Sequence, residues 1–454
     1  MRKLALVTII AALTSGSAIA ATQVAPQQAL TMLAQQEKLF EQSVIQTAEN
    51  VFTAVGFHGA TTSMIVGDDG VIIVDTLMGP TSASNAFKAL RQYSDKPVKA
   101  IIYTHSHGDH TGGASVFAGD DQPEIISMAN FGHDHGVDPA INPIMKPRGI
   151  RQFGRKLPLE QATNRGLAPA HTIDHDRGKG HLPATYKIEG DNYKTTIAGI
   201  ELEMYGVIGE TNDALYLWLP NEKVLFSGDN FYQTFPNLYA IRGTGYRNVL
   251  NWADSVAQMA THKPEFVVPG HTMPIKGQQA ATGALQDYSD AIRSVYDQTI
   301  VAINQGKGPD LIAHEVELPP HLKNKPYLTE FYGNIAHATR AIYAGLLGWF
   351  DGNPTNLSPL APKQKAMKMA QLAGGVEALT IKMNTALQAE DFQWALELAD
   401  HLKWLDNGDK VLAKKVKIAA LRGLGAREYN APNRNYYLSY ANELESGQLS
   451  KIWF

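Results

Sequence analysis

Three histidines and one aspartate crowd into the segment Tyr103-Thr104-His105-Ser106-His107-Gly108-Asp109-His110-Thr111-Gly112-Gly113. Imidazole and carboxylate groups suit Zn²⁺, and His105, His107, Asp109 and His110 are more ligands than one tetrahedral ion usually takes from a single segment. A lone histidine in a loop reads as solvated, whereas H-x-H-x-D-H directly after an apolar run reads as a metal-binding loop. Gly108, Gly112 and Gly113 permit the tight backbone such a loop requires. A second ion is expected once further ligands are found downstream.

The chain that must position this loop has 454 residues, 15 histidines, no cysteine and a formal net charge of -4. Its length calls for two or three units. Without cysteine there is no disulfide framework, thiol nucleophile or cysteinyl metal site, so any metal must sit on His and carboxylate ligands. With 44% hydrophobic and 19% charged residues, wholesale disorder is excluded. The weak negative charge argues against a nucleic-acid partner, which would need a clustered Lys/Arg surface.

Arg2 and Lys3, the apolar run Leu4 to Leu13, and Ala18-Ile19-Ala20 have the form of a cleavable signal peptide over residues 1–20. The competing reading is an uncleaved anchor, but the run is about half of the ~20 residues a membrane span needs. Export to a bacterial periplasm, with no stable membrane insertion, is the expectation.

Residues 25–48 read as a polar, Gln-rich entry helix. Short β-branched runs at 63–66 and 70–75, joined by the turn signal Asp68-Asp69-Gly70, read as a hairpin. Helix-like residues 81–93 lead into a buried strand, Val98 to Tyr103, which ends at the metal-binding loop. Further strands are expected at 186–188, 195–197, 201–208, 214–219, 224–227 and 266–268. Strand and helix alternation points to an α/β layered architecture. Residues 130–182 are rich in Gly, Pro, His and Arg and show no period. They form either a lid facing the substrate or a surface excursion. Helical patterns follow at 286–305, 328–350, 363–372, 375–388, 391–405, 410–424 and 433–445, with short connections that imply antiparallel packing.

The H-x-H-x-D-H segment resembles the first metal motif of the metallo-β-lactamase superfamily. Leu225-Phe226-Ser227-Gly228-Asp229 is similar to the superfamily's strand and bridging Asp, and Val268-Pro269-Gly270-His271 to its last His. Where that superfamily normally has a further His, this chain reads Gly209-Glu210-Thr211-Asn212-Asp213. Glu210 in that place, with a helical C-terminal half, resembles the alkyl sulfatase group. Asn237-Leu238-Tyr239-Ala240-Ile241-Arg242-Gly243 matches the group's N-L-Y-x-x-R-G segment. Tyr332-Gly333, Gly348 to Pro354, Glu390 to Ala395, Leu424-Gly425, Asn433-Arg434, Tyr437-Leu438 and Glu443-Leu444 match its helical connections and dimerisation domain. Two departures stand out. The group's bridging carboxylate is usually Glu, whereas Asp229 is one methylene shorter. Longer relatives continue into a sterol-carrier-like domain, whereas this sequence ends at Phe454, so either the first two domains recognise the alkyl tail or the tail is not what is recognised.

The resemblance implies an αββα sandwich followed by an all-α domain. Expected units are a catalytic domain over 21–290, with its insertion at 130–182, and a helical dimerisation domain over 291–454. It further implies a homodimer formed through that helical domain and two zinc ions per subunit. His105, His107 and Glu210 would hold one ion, Asp109, His110 and His271 the other, with Asp229 bridging. Such a pair would supply hydroxide near neutral pH and screen the charge of a small sulfate ester. The implied activity is hydrolysis of organic sulfates to alcohol and inorganic sulfate. Another ester, lactam or phosphodiester is an alternative substrate, and a non-catalytic assembly protein is a third reading. Asn237 and Arg242 match sulfate-contacting positions, and Arg148 is a possible second contact. Catalytic candidates are Asp109, as a ligand, and Tyr246. His133, His135, His171, His175 and His181 are further candidates for leaving-group or substrate contacts. Trp349 and Trp394, in helical context, are expected in the core.

Overall fold

The computed structural model describes residues 22–132, 138–170 and 175–449. The proposed leader, with His133, His135 and His171, lies outside the described residues. Two sheets face each other. The first contains β1 (Ser43–Ala48), β2 (Val51–Val55), β3 (Thr62–Val66), β4 (Val71–Val74), β5 (Val98–Ile102), β6 (Glu124–Met128) and β7 (Tyr186–Ile188), in that spatial order. Pairing is antiparallel from β1 to β4 and parallel from β4 to β7. The second holds β8 (Asn192–Ile197), β9 (Ile200–Val207), β10 (Ala214–Leu219), β11 (Val224–Gly228), β12 (Phe266–Pro269) and β13 (Ile275–Lys276), also in chain order. Only β11 and β12 are parallel there.

Side-chain alternation explains the layers. Ile72, Val74, Ala100 and Ile102 point inward against Leu202, Met204, Leu215, Leu217 and Phe226 of the facing sheet. Their neighbours Val71, Ile73 and Ile101 point outward and bury under helices Pro80–Leu90 and Ala114–Ala118. On the far side, Tyr216, Trp218 and Leu225 pack under helices Val249–Thr261 and Gln278–Asn304. The result is the expected αββα sandwich.

The sandwich core runs on through Leu318, Leu322 and Leu328 to Ile335 and Ile342. Helix Gln278–Asn304 crosses residue 290 without interruption. The last five helices, from Pro362–Ala373 to Ala431–Glu445, share a separate core that includes Met383, Leu398, Leu402 and Val416. A buried ion pair, Arg151 Nη2 to Glu443 Oε2 at 2.7 Å, ties the insertion to the last helix.

Four local expectations change. The entry helix ends at Glu37, and residues 43–48 form edge strand β1. Strands β2 and β6, unread in the sequence, complete the first sheet. In the stretch 328–350 the helix spans only Ile335–Leu347, because the Asn334 side chain caps it by accepting from His337 N at 3.0 Å; such a cap fixes a helix start. Trp349 and Trp394 are not core residues: they are 76% and 40% exposed. Trp349 follows Gly348, whose φ of +78° ends that helix and turns the chain outward. Among the described residues no helix is long and apolar enough to cross a membrane.

Candidate active site

The seven proposed ligands lie where strands end. His105, His107, Asp109 and His110 follow β5, Glu210 precedes β10, and Asp229 and His271 follow the parallel pair β11 and β12. Close backbone packing brings these ends together. A Cβ on Gly112 would fall 1.9 Å from Met78 O, and one on Gly270 would fall 2.1 Å from Asp229 Oδ1. Glycine is required at both places. Gly108 meets nothing within 4 Å, so the tightness expected there resides in Gly112.

Ligand atoms gather into two groups, His105 with His107 and Asp229, and Asp109 with His110 and His271. Asp229 touches both. Its Oδ2 lies 3.5 Å from His105 Nε2 and 3.3 Å from His271 Nε2, and its Oδ1 lies 3.3 Å from His110 Nε2. His105 Nε2, His110 Nε2 and Asp229 Oδ1 are buried without a hydrogen-bond partner among the described residues. Buried polar atoms without partners are costly, and a shared cation would satisfy them. The donors present therefore fit metal binding by imidazole and carboxylate ligands.

Outer partners set the rings. Asp75 Oδ2 is 2.7 Å from His110 Nδ1, while Thr104 donates to the same carboxylate from N and Oγ1, each at 2.8 Å. His271 Nδ1 donates to Gly59 O at 2.7 Å. Such contacts orient a ligating histidine and raise its basicity. The sequence did not single out Asp75 in this role; its position ending the apolar β4 run was the available signal.

Charges in the cluster act strongly on one another. Burial holds His107 well below the ordinary histidine value, helped by the charges of His105, Arg242 and Arg247. Burial opposes ionisation of Asp229, yet His271 and His110 pull it well below the carboxylate range. Asp109 is likewise depressed, because His110 and His271 outweigh its burial. Asp229 and Asp75 overcome burial to raise His110 well above its ordinary value.

Glu210 stands apart from the two groups. Its Oε1 is 4.0 Å from His107 Nδ1 but accepts from Arg247 Nη2 at 2.9 Å, and its Oε2 accepts from Tyr232 Oη at 3.3 Å. Arg247 also donates to Asn237 O. Neither Arg247 nor Tyr232 was anticipated, since nothing in local spacing marks a partner 37 residues away.

A cavity of about 550 Å³ opens beside His107 and Glu210, lined also by Asn142, Met145, Arg242, Tyr246 and Arg247. Asn142 and Met145 belong to the helix Asn142–Gln152 inside the insertion, so that part of it faces the site. Asn237 is buried outside the lining of this cavity, and its side-chain Nδ2 has no hydrogen-bond partner among the described residues. Arg148 directs Nε and Nη2 at Ile241 O, at 3.3 and 2.7 Å, and so holds the backbone just before Arg242 rather than lining the cavity. Tyr246 is half-exposed at the cavity wall, and burial raises its phenol above the ordinary value. His175 is exposed, and His181 stacks 5.8 Å from Tyr103; neither lines this cavity.

Comparison with known proteins agrees with this architecture. Residues 55–271 match the metallo-beta-lactamase superfamily, and residues 308–447 match the alkyl sulfatase dimerisation family. A linear primary-alkylsulfatase of Pseudomonas sp. (strain ATCC 19151) is 34% identical over 84% of this chain and 73% of its own length. An (R)-specific secondary-alkylsulfatase of Pseudomonas sp. is 29% identical over 89% of this chain, which spans 63% of that relative. The solved structure of a stereoselective inverting sec-alkylsulfatase from Pseudomonas sp. superposes with a TM-score of 0.82 at 28% identity, covering 92% of this chain and 68% of that one. The chain belongs to the alkylsulfatase family of the metallo-β-lactamase superfamily, a family of metal-dependent sulfuric ester hydrolases.

Proposed function

We propose that the chain hydrolyses alkyl sulfate esters to alcohol and inorganic sulfate at a binuclear zinc centre, as a homodimer exported to the periplasm. His105, His107 and Glu210 would hold one ion, Asp109, His110 and His271 the other, and Asp229 would bridge. Two zinc ions, when bound, supply an activated water near neutral pH and screen the ester's charge. The observation that carries the reading is the cluster of buried ligand atoms without partners among the described residues, beside a cavity lined by Arg242 and Arg247.

That lining fits a sulfate group. Arg242 lines the same cavity as His107, whereas Asn237, whose Nδ2 is a buried donor without a partner among the described residues, is not one of its lining residues. A planar guanidinium suits an oxyanion. Arg148 positions the Arg242 segment through Ile241 O. Tyr246, with its raised phenol, can donate a proton to the leaving oxygen, an alkoxide in S–O cleavage or the sulfate in C–O cleavage. The Arg247 and Tyr232 contacts hold the Glu210 carboxylate at the cavity floor.

Apolar side chains exposed around the end of helix Ile335–Leu347, among them Leu346, Leu347, Trp349, Leu357 and Leu360, lie within the segment matching the dimerisation family. An exposed apolar surface of this kind suits burial against a second subunit.

Zinc-loaded protein is expected to release sulfate from at least one member of a panel of primary and secondary alkyl sulfates. No release from any of them overturns the substrate class. Turnover in ¹⁸O-labelled water identifies the bond cleaved, since label enters sulfate for S–O cleavage and the alcohol for C–O cleavage.

A further inference from the structure

The helix Asn142–Gln152 reaches the substrate cavity with Asn142 and Met145, yet its sequence is poorly suited to a helix. Pro147 lies inside it and Gly149 follows two residues later, and these are the two residue types least favourable in a helix interior. Pro147 also removes a backbone donor from the ladder. A helix this short and this weak takes its place from what it packs on. It is held on two opposite sides.

On one side it grips the segment that carries Arg242. Met145, Arg148, Gly149 and Gln152 recur at helical spacing and share a face. Arg148 Nη2 donates to Ile241 O at 2.7 Å, and Gln152 Oε1 accepts from Arg242 N at 2.8 Å. Both polar atoms of the Ile241–Arg242 peptide are therefore bound to this helix. A Cβ on Gly149 would meet Arg242 Cδ at 3.9 Å, and one on Gly243 would fall 2.5 Å from Met145 Sδ. The stem of the Arg242 side chain and the turn after it rest on the same face.

On the other side it is bound to the last helix, Ala431–Glu445. Arg151 donates to Glu443 Oε2 from Nη2 at 2.7 Å and from Nε at 3.0 Å, and its guanidinium lies 5.2 Å from the centre of the Tyr440 ring. A charge-assisted contact through two donors fixes orientation as well as position. Asn435 Nδ2 donates to Gln152 O at 3.4 Å and to Asn164 O at 3.3 Å. Just past the helix, a Cβ on Gly154 would stand 2.9 Å from Asn435 Cγ, and Asn442 Nδ2 donates to Gln161 Oε1 at 2.8 Å. Arg151, Gln152 and Asn435 are all buried.

Asn435 and Glu443 lie within the segment that matches the dimerisation family, and among the described residues that segment contributes nothing to the cavity lining. We infer that Glu443 and Asn435 position Arg242 from outside the cavity, with Arg151 and Gln152 as the relay, so that the last helix sets the affinity for the sulfate ester. This inference rests on the sulfatase reading above, which supplies the ligand of Arg242.

Three variants separate the contacts. Glu443→Ala breaks the ion pair, Glu443→Gln keeps an acceptor for Arg151, and Gln152→Met removes the acceptor of Arg242 N. Each is compared with the unsubstituted, zinc-loaded full chain in zinc content, amide hydrogen exchange, octyl sulfate turnover and affinity for octane-1-sulfonate by calorimetry. The sulfonate is not an ester and reads binding alone. Glu443→Ala and Gln152→Met should keep their zinc and exchange faster at residues 238–247 but not at 103–113. Both should lose roughly ten- to hundredfold in kcat/KM and in sulfonate affinity, the size of loss that a small misplacement of a binding group causes. Glu443→Gln should retain most of both. In an Arg242→Ala background, Glu443→Ala should cost little more, because the two changes act through one group. Unchanged exchange at 238–247, or an undiminished further loss in the Arg242→Ala background, overturns the inference. Faster exchange there, in a protein that neither binds the sulfonate nor turns over octyl sulfate when unsubstituted, supports the positioning and overturns the sulfatase reading instead.

Discussion

At the scale of residues, the clustering of six of the seven candidate ligands was legible because metal chemistry restricts residue type and spacing together. With no cysteine available, H-x-H-x-D-H after a buried strand left little else to propose, and the structure gathers His105, His107, Asp109, His110, Asp229 and His271 around one point. The groups that hold those ligands were not legible, since their contacts span long separations: Asp75 with His110, and Arg247 with Glu210, 35 and 37 residues apart. Each yields a prediction. Asp75→Ala removes the acceptor of the His110 ring and should weaken zinc binding by about 10–100-fold, as outer partners of ligating histidines do; competition with a chelator measures it. Arg247→Gln leaves the buried Glu210 carboxylate without its charge partner, a change that costs about 3–5 kcal/mol at buried pairs. Zinc on Glu210 would replace that partner, so the metal-free variant should lose far more melting temperature than the zinc-loaded one. Equal losses in both forms would remove Glu210 from the ligand set.

At the scale of elements, the continuous apolar runs of the sheet centres were readable, whereas the edge strand β1 and the interior strands β2 and β6 were not. The runs Val71–Val74 and Val98–Ile102 are, apart from the exposed Lys99, apolar on both faces because helices cover one and the second sheet the other. Strand Ser43–Ala48, with one neighbour and a largely half-exposed surface, carries polar residues that blurred into the Gln-rich helix before it. Helix ends were displaced where a side chain decides them, as Asn334 does. The two tryptophans were misplaced because a helical pattern says which residues share a face, not which face is covered. Backbone contact around the metal-binding loop gives the element-scale prediction. Gly112→Ala would drive a Cβ into Met78 O, so the loop must move. Both zinc content and melting temperature should fall, whereas Gly108→Ala, which meets nothing, should leave both nearly unchanged. Metal analysis and thermal melts read the contrast.

At the scale of the whole molecule, the catalytic sandwich, the N-terminal segment and the helical core meet around Glu428. Gln23 bridges to Glu428, and Asn430 beside it donates to Glu330 O, Tyr332 O and Gly333 O. Burial pushes the Glu428 carboxyl up to about 7 against hydrogen bonds from Thr22 and Asn430, with the nearby Glu330 charge adding to the rise. Between the ordinary carboxylate value and 7 the folded protein keeps this proton while the unfolded chain releases it. Stability therefore falls as pH rises through that window and is flat above it, a loss of roughly 3 kcal/mol for the group. Glu428→Gln removes the ionisation. Its melting temperature relative to the unsubstituted protein should rise by a few degrees between pH 5 and pH 8; a difference independent of pH would contradict the assignment.

The substrate reading reduces to whether this metal cluster breaks a sulfate ester. The direct measurement is simultaneous quantification of sulfate and alcohol released from an alkyl sulfate by the zinc-loaded protein and by its His107→Ala variant. The two products should appear in equal amounts with the unsubstituted protein, and release should fall to background in the variant. Absence of sulfate from the unsubstituted protein, or undiminished release by the variant, would contradict the assignment of this site.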